Sequence, residues 1–167
     1  MDIKGGRIMS SNLSKSAEKV QTALKELGFE LNIIELSDSA RTAQEAADAI
    51  GCSVSQIAKS LIFKGKTSQK PILIVASGTN RVNEKAVKEH IGEKLEKADA
   101  DFVLEHTGFA IGGVPPIGHK TAITTLIDED LMQYEEIWAA AGTPHAIFKL
   151  TPKILADITQ GNIICVK

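Results

Sequence analysis

The chain reads as one α/β (α+β) domain built around a mixed sheet, and three observations lead there. Segments with apolar residues at helical spacing alternate with short apolar runs of strand length along the 167 residues. Most helical segments carry their own start and stop signals. No internal repeat, low-complexity tract or linker interrupts the pattern, and at 43% hydrophobic and 24% charged residues the chain can bury a sizeable core without metal or disulfide staples.

In chain order, residues 1–12 read as a loose tail, with Met9 an alternative start, and 13–167 as the domain. Leu13, Ala17, Val20, Leu24 and Leu27 share a helical face that Gly28 stops. A strand follows over 31–36, then a polar connection over 37–41. Thr42 and Glu45 form a capping box ahead of Ala43, Ala46, Ala47 and Ile50, and Gly51 closes that helix. A short helical turn from Ser53 leads into the apolar run 57–63, read as a largely buried strand. Residues 71–76 are almost continuously apolar, as in a central strand, and end in the polar loop Ser77-Gly78-Thr79-Asn80-Arg81. Asn83 caps a helix stopped by Gly92; a short strand near Leu95 and a helix over 99–107 come next. Strands are expected over 122–126, 136–140 and 145–150. Thr151-Pro152 opens a helix that Gly161 ends, before a last strand over 163–166.

Composition excludes several classes of function. A net charge of -2 leaves no broad basic face, and 4% aromatic residues are too few for base-stacking platforms. Any nucleic-acid contact is therefore local, and no DNA partner is expected. Cys52 and Cys165 lack metal-ligand spacing and read as reduced thiols in or near the core. The apolar stretches are too short to cross a bilayer, and the first residues lack a secretory apolar region, so a cytoplasmic protein with no membrane partner is expected.

The most distinctive segment is 108–118, with four of the 13 glycines, two of the five prolines and no acid, base or nucleophile. Such a segment presents backbone: glycine permits positive φ and close approach, and proline fixes φ and removes a donor. A tight turn between strands is the plain alternative. Lys59 lies within the apolar run 57–63, where its ammonium must reach solvent, meet an anion, or lose its proton at a cost. His119 directly follows the glycine-proline segment and is read either as a group beside the ligand or as a surface histidine. The loop 77–81 sits at a strand end, where ligands often bind. No nucleophile elbow, phosphate loop, dinucleotide fingerprint or zinc-binding histidine pair occurs, and no cofactor or metal is called for.

Lys59 within Ile57-Ala58-Lys59-Ser60-Leu61-Ile62, the loop from Ser77 to Asn83, and Gly112-Gly113-Val114-Pro115-Pro116-Ile117-Gly118-His119 occur in an order that resembles the YbaK-like family, the freestanding relatives of the editing domain of bacterial prolyl-tRNA synthetase. The resemblance covers roughly residues 13 to 166. It implies a mostly antiparallel mixed sheet flanked by helices, and a trans-editing hydrolase that deacylates tRNA mischarged with a small amino acid. It also implies a backbone-lined Gly-x-x-x-Pro pocket, here from Gly112 to Pro116. On that reading Lys59 and Gly112 are catalytic, and Gly113, Val114, Pro115, Pro116, His119, Ser77, Gly78 and Arg81 bind substrate. Arg81 is equally read as a solvated loop arginine. An aminoacyl ester is already activated, so a positioned water and a stabilised oxyanion suffice. In the family a ribose hydroxyl of the substrate is thought to help place that water. The partner is the acceptor end of an aminoacyl-tRNA, and a synthetase or elongation factor is the class of protein that would deliver it. The competing reading is a non-catalytic module binding an oligonucleotide end or small metabolite in the same cleft.

Overall fold

The structure is a computed structural model that describes residues 13–167 together with the backbone of residues 2–3 and 6–8. The tail expected over 1–12 lies for its larger part outside the described residues. Two short strands come from it, β1 (Asp2–Ile3) and β2 (Gly6–Ile8).

Helices start where a side chain can accept their first free amides. Ser14 accepts from Ala17 N–H before α1 (Lys15–Glu26). Thr42 accepts from Glu45 N–H before α2 (Ala43–Ile50), and the Glu45 carboxylate accepts Thr42 N–H at 3.1 Å, completing the expected capping box. Asn83, Asp99 and Thr151 do the same for α3 (Glu84–Ile91), α4 (Ala100–Thr107) and α5 (Pro152–Thr159). The end of α5 departs from expectation: Gln160, at φ 53, makes the left-handed turn, and Gly161 does not. Gly161 instead packs so closely that a Cβ would lie 3.1 Å from the side chains of Ile127 and Thr125.

The remaining strands are β3 (Ile33–Leu36), β4 (Ile57–Gly65), β5 (Pro71–Ser77), β6 (Leu95–Lys97), β7 (Thr124–Asp128), β8 (Ile137–Ala140), β9 (Ala146–Leu150) and β10 (Asn162–Ile164). They form one mixed sheet in the order β1-β2-β3-β9-β8-β4-β5-β7-β10, with β6 also paired to β4. Among the described residues only the β4–β8, β5–β7 and β7–β10 pairs are parallel.

Strand alternation sorts the core into two sides. On one, Leu73 and Val75 of β5 join Ala58, Ile127, Ala139 and Phe148 beneath α1, α4 and α5. On the other, Ile72, Ile74 and Ala76 pack with Val87 of α3, while Ile34, Ile57 and Ile147 pack with Ala46 and Ala47 of α2. Full burial of each large apolar side chain contributes about 1.5–3 kcal/mol. Because both faces of β5 are covered, its sequence is a continuous apolar run.

Three sequence expectations shift. β4 is half-buried along most of its length rather than largely buried, because α2 covers Ile57 and α3 packs near Leu61 and Phe63, leaving Lys59 between them. The strand expected over 122–126 runs instead to Asp128, whose carboxylate is fully buried. The Ser77 amide N–H and the Asn80 side-chain amide of the loop that follows β5 donate to that carboxylate. Cys165 is exposed and Cys52 half-buried; both are free thiols. Among the described residues, no helix is long and apolar enough to cross a membrane.

Candidate active site

The sheet has a gap beside Lys59. On one edge of β4, Ile57 and Ala58 pair with β8, and Phe63 to Gly65 pair with β6; no described strand pairs with residues 59–62 on that edge. Gly78 N–H donates to Ile57 O at 2.8 Å and Gly65 N–H to Lys70 O at 2.9 Å, so odd-numbered residues of β4 bond to β5. The amides and carbonyls of Ser60 and Ile62 therefore point to the open edge. The Ser60 hydroxyl is also buried without a hydrogen-bond partner.

A cavity of about 260 Å³ opens at this gap. Lys59, Ser60 and Leu61 line one side, Trp138, Ala139 and Ala140 another, with Ala43 and Ala46 of α2 above and Gly112 and Val114 at the loop side. Its lining is mainly apolar, with Arg41, Thr42, Lys59 and Ser60 as polar members. Among the described residues no carboxylate, histidine or cysteine lines it. The Lys59 ammonium donates to Gly78 O at 3.4 Å, a long bond that leaves its other hydrogens for a ligand. Partial burial pushes its pKa below the usual 10.5, and the negative charge of Asp128 partly offsets that shift.

The loop 77–81 supports this lysine. Ser77 N–H donates to Asp128 Oδ2 at 3.0 Å, and the Asn80 amide donates to the same oxygen at 2.8 Å and to Asp130 Oδ2 at 2.7 Å. The Ser77 hydroxyl donates to Ser55 O at 2.7 Å. Gly78 is required for space: a Cβ there would run into Val54 O and the Ala43 side chain. Ser77 and Gly78 thus position Lys59 from outside the cavity wall. Arg81 is exposed and does not line the cavity.

The glycine-proline segment is a buried plug from Gly113 to Ile117, with Gly112 half-exposed at its tip. Gly112 has φ +96, and a Cβ on it would lie 2.7 Å from Arg41 Cγ. Gly113 N–H donates to Ala110 O at 3.1 Å and its carbonyl accepts Gly142 N–H at 2.9 Å, so neither group faces a ligand. Val114 reaches the cavity; Pro115 and Pro116 are buried behind it. His119 is not brought to the cavity. Its Nε2–H donates to Pro115 O at 2.7 Å, and the ring borders a shallow groove with Lys15, Glu18, Lys19 and Thr22 of α1 on the opposite side of the sheet. Burial pushes its pKa below 6.5, so the neutral ring is the form that braces the loop.

The structure therefore brings together Lys59, Gly112 and Val114, seats Ser77, Gly78, Gly113, Pro115 and Pro116 as supports, and leaves Arg81 and His119 elsewhere. Sequence reasoning missed Arg41, Ser60, Trp138 and Asp128. The capping box after Arg41 placed it at a helix start, but nothing local linked that start to Gly112.

Residues 37–158 match the family model described as the aminoacyl-tRNA editing domain. The YwhH protein of Bacillus subtilis is 35% identical over 89% of this chain and 94% of its own. The EbsC protein of Enterococcus faecalis, a candidate Cys-tRNA(Pro)/Cys-tRNA(Cys) deacylase, is 26% identical over 91% of this chain and 90% of its own. A crystal structure of a candidate trans-editing enzyme for prolyl-tRNA synthetase superposes with a TM-score of 0.88 at 46% identity, covering 93% of this chain and 99% of that one. With a family model over most of its length and near-full-length relatives of the same fold, the chain belongs to the aminoacyl-tRNA editing domain family, and its class of activity is aminoacyl-tRNA deacylation.

Proposed function

We propose that this chain is a trans-editing carboxylic ester hydrolase, acting in the cytoplasm, that removes a small amino acid from mischarged tRNA in the cavity between Lys59 and Gly112. The observation that carries this reading is a half-buried lysine in a mainly apolar cavity, beside sheet-edge backbone groups that no described strand pairs with. At about 260 Å³ the cavity lies below the roughly 300 Å³ at which drug-sized ligand sites begin. It must also admit the ribose, which leaves room for a small side chain.

In this reading the aminoacyl group enters over Gly112. The ester carbonyl lies where the Gly112 amide, the open-edge amide of Ser60 and the Lys59 ammonium can stabilise the negative charge that develops as water attacks. The carbonyl of Ser60 or Ile62 accepts from the substrate ammonium. Water adds to the ester carbon, the tetrahedral intermediate collapses, and the C–O bond to the ribose breaks with the ribose oxygen taking a proton. With no acid or imidazole among the described residues that line the cavity, the substrate's own ribose hydroxyl orients the water.

The test is amino-acid release from Ala-, Cys-, Ser- and Thr-tRNA, with tRNA(Pro) first because relatives are named for it. Lys59→Ala should reduce the rate by about 10²-fold or more, as expected for removal of one oxyanion donor. Equal rates for the two proteins would remove Lys59 from the mechanism. Retained tRNA binding with no hydrolysis across the panel would favour a binding module.

A further inference from the structure

Arg41 occupies an unusual position for a surface arginine. Ala40 N–H donates to Pro144 O at 2.5 Å on one side of it, and the Thr42–Glu45 capping box closes the other, so its backbone is fixed. Its stem lies across Gly112: a Cβ on that glycine would meet Cγ at 2.7 Å and both Cδ and Nε at 3.3 Å. Arg41 lines the same cavity as Lys59, yet it is exposed where Lys59 is half-buried. Glu45, the nearest acid along the chain on the helix side, is committed to Thr42. Among the described residues no ion pair or hydrogen bond engages the Arg41 guanidinium.

A guanidinium with a packed stem and an unpaired head at a cavity mouth is pre-organised for a planar, two-pronged anion contact. An aminoacyl-tRNA end offers one kind of anion. The ester has no carboxylate, and its amino group is cationic and repelled by arginine; the phosphodiesters lie on the far side of the ribose from the ester. When the amino acid points inward past Lys59, the first phosphodiester comes out at the mouth. Ile111, 53% exposed and also lining the cavity, adds an apolar surface beside it for the terminal base.

Resting on the function proposed above, we propose that Arg41 binds the phosphodiester joining the terminal nucleoside to the rest of the tRNA, so that Lys59 is left to act at the ester. Gly112 then serves both residues: its missing side chain admits the arginine stem, and its amide faces the reaction.

The experiment compares wild type, Arg41→Gln and Arg41→Lys on two esters of the same amino acid, the charged tRNA that wild type hydrolyses fastest and a phosphate-free 3′-aminoacyl adenosine. The kcat/KM for tRNA is followed from 50 to 200 mM salt, and melting temperatures are recorded for all three proteins. Arg41→Gln should lose about tenfold in kcat/KM on tRNA, mainly through KM, and its log–log salt slope should flatten by about 0.7–0.9, the contribution of one phosphate contact. Its rate on aminoacyl adenosine should equal that of wild type, and Arg41→Lys should keep most of the salt slope. Equal losses on both esters, or no loss on tRNA, would overturn the assignment. A wild-type protein inactive on both would overturn the proposed function and this inference with it.

Discussion

The Asp128 carboxylate accepts the Ser77 amide at 3.0 Å where both residues are almost completely shielded from water, at 0% and 1% exposure. This contact joins the end of β7 to the end of β5, and through Gly78 O it sets the Lys59 ammonium at the cavity. A buried carboxylate with three donors, the third being Asp130 N–H at 2.9 Å, is costly to disturb.

Asp128→Asn keeps the shape and removes the charge. Its amide nitrogen would face donors it cannot accept from, so stability should fall by about 2–4 kcal/mol. A lower urea midpoint at unchanged m-value checks this. The substitution also removes the charge that holds the Lys59 pKa up. The lysine is cationic below its folded pKa and loses its proton as pH rises through it, so the alkaline fall in kcat/KM should move to lower pH in the variant. The comparison needs spontaneous ester hydrolysis subtracted, and an unmoved limb would uncouple the two residues.

Gly112→Ala and Gly113→Ala should differ. At Gly112 the obstacle is the flexible Arg41 stem, and the strain of a side chain at φ +96 adds about 1–2 kcal/mol. Arg41→Ala in the same chain should return part of the lost stability. At Gly113 a Cβ would lie 2.6 Å from Thr143 Cα, and backbone cannot rotate away, so this variant should be the less stable of the two in thermal melting. Equal melting temperatures would mean that the loop yields at Gly113.

His119 should make stability, not chemistry, depend on pH. Its folded pKa lies below the ordinary 6.5, so the unfolded chain binds the extra proton first. Its contribution is complete above about pH 6.5 and is lost as pH falls toward the folded pKa. His119→Gln keeps an N–H for Pro115 O but does not titrate, so between pH 7.5 and 5 it should lose less melting temperature than wild type while still deacylating. A matching pH dependence in the two proteins would assign the acid sensitivity to other groups.

The caps and stops at Thr42, Asn83, Gly51 and Gly92 were legible in the chain because each depends on residues within one or two turns. β5 was legible as a central strand for a related reason: burial on both faces leaves only apolar choices. Lys59 and the glycine-proline segment stood out because a charge in an apolar run and a cluster of backbone-shaping residues are both costly without a purpose.

Other features came from pairings that local chemistry does not encode. The strand order, and with it the gap beside residues 59–62, follows from which strands find one another across the chain. His119 turned toward α1 because folding the loop buried Pro115 O on that side, and Gly113 spent its amide within its own turn. Arg41 met Gly112 only when α2 docked above the loop. Helix ends and strand burial are decided by neighbours in sequence and by solvent; the meeting of Arg41, Lys59 and Gly112 is decided by long-range packing, in which distant parts of the chain are chosen together.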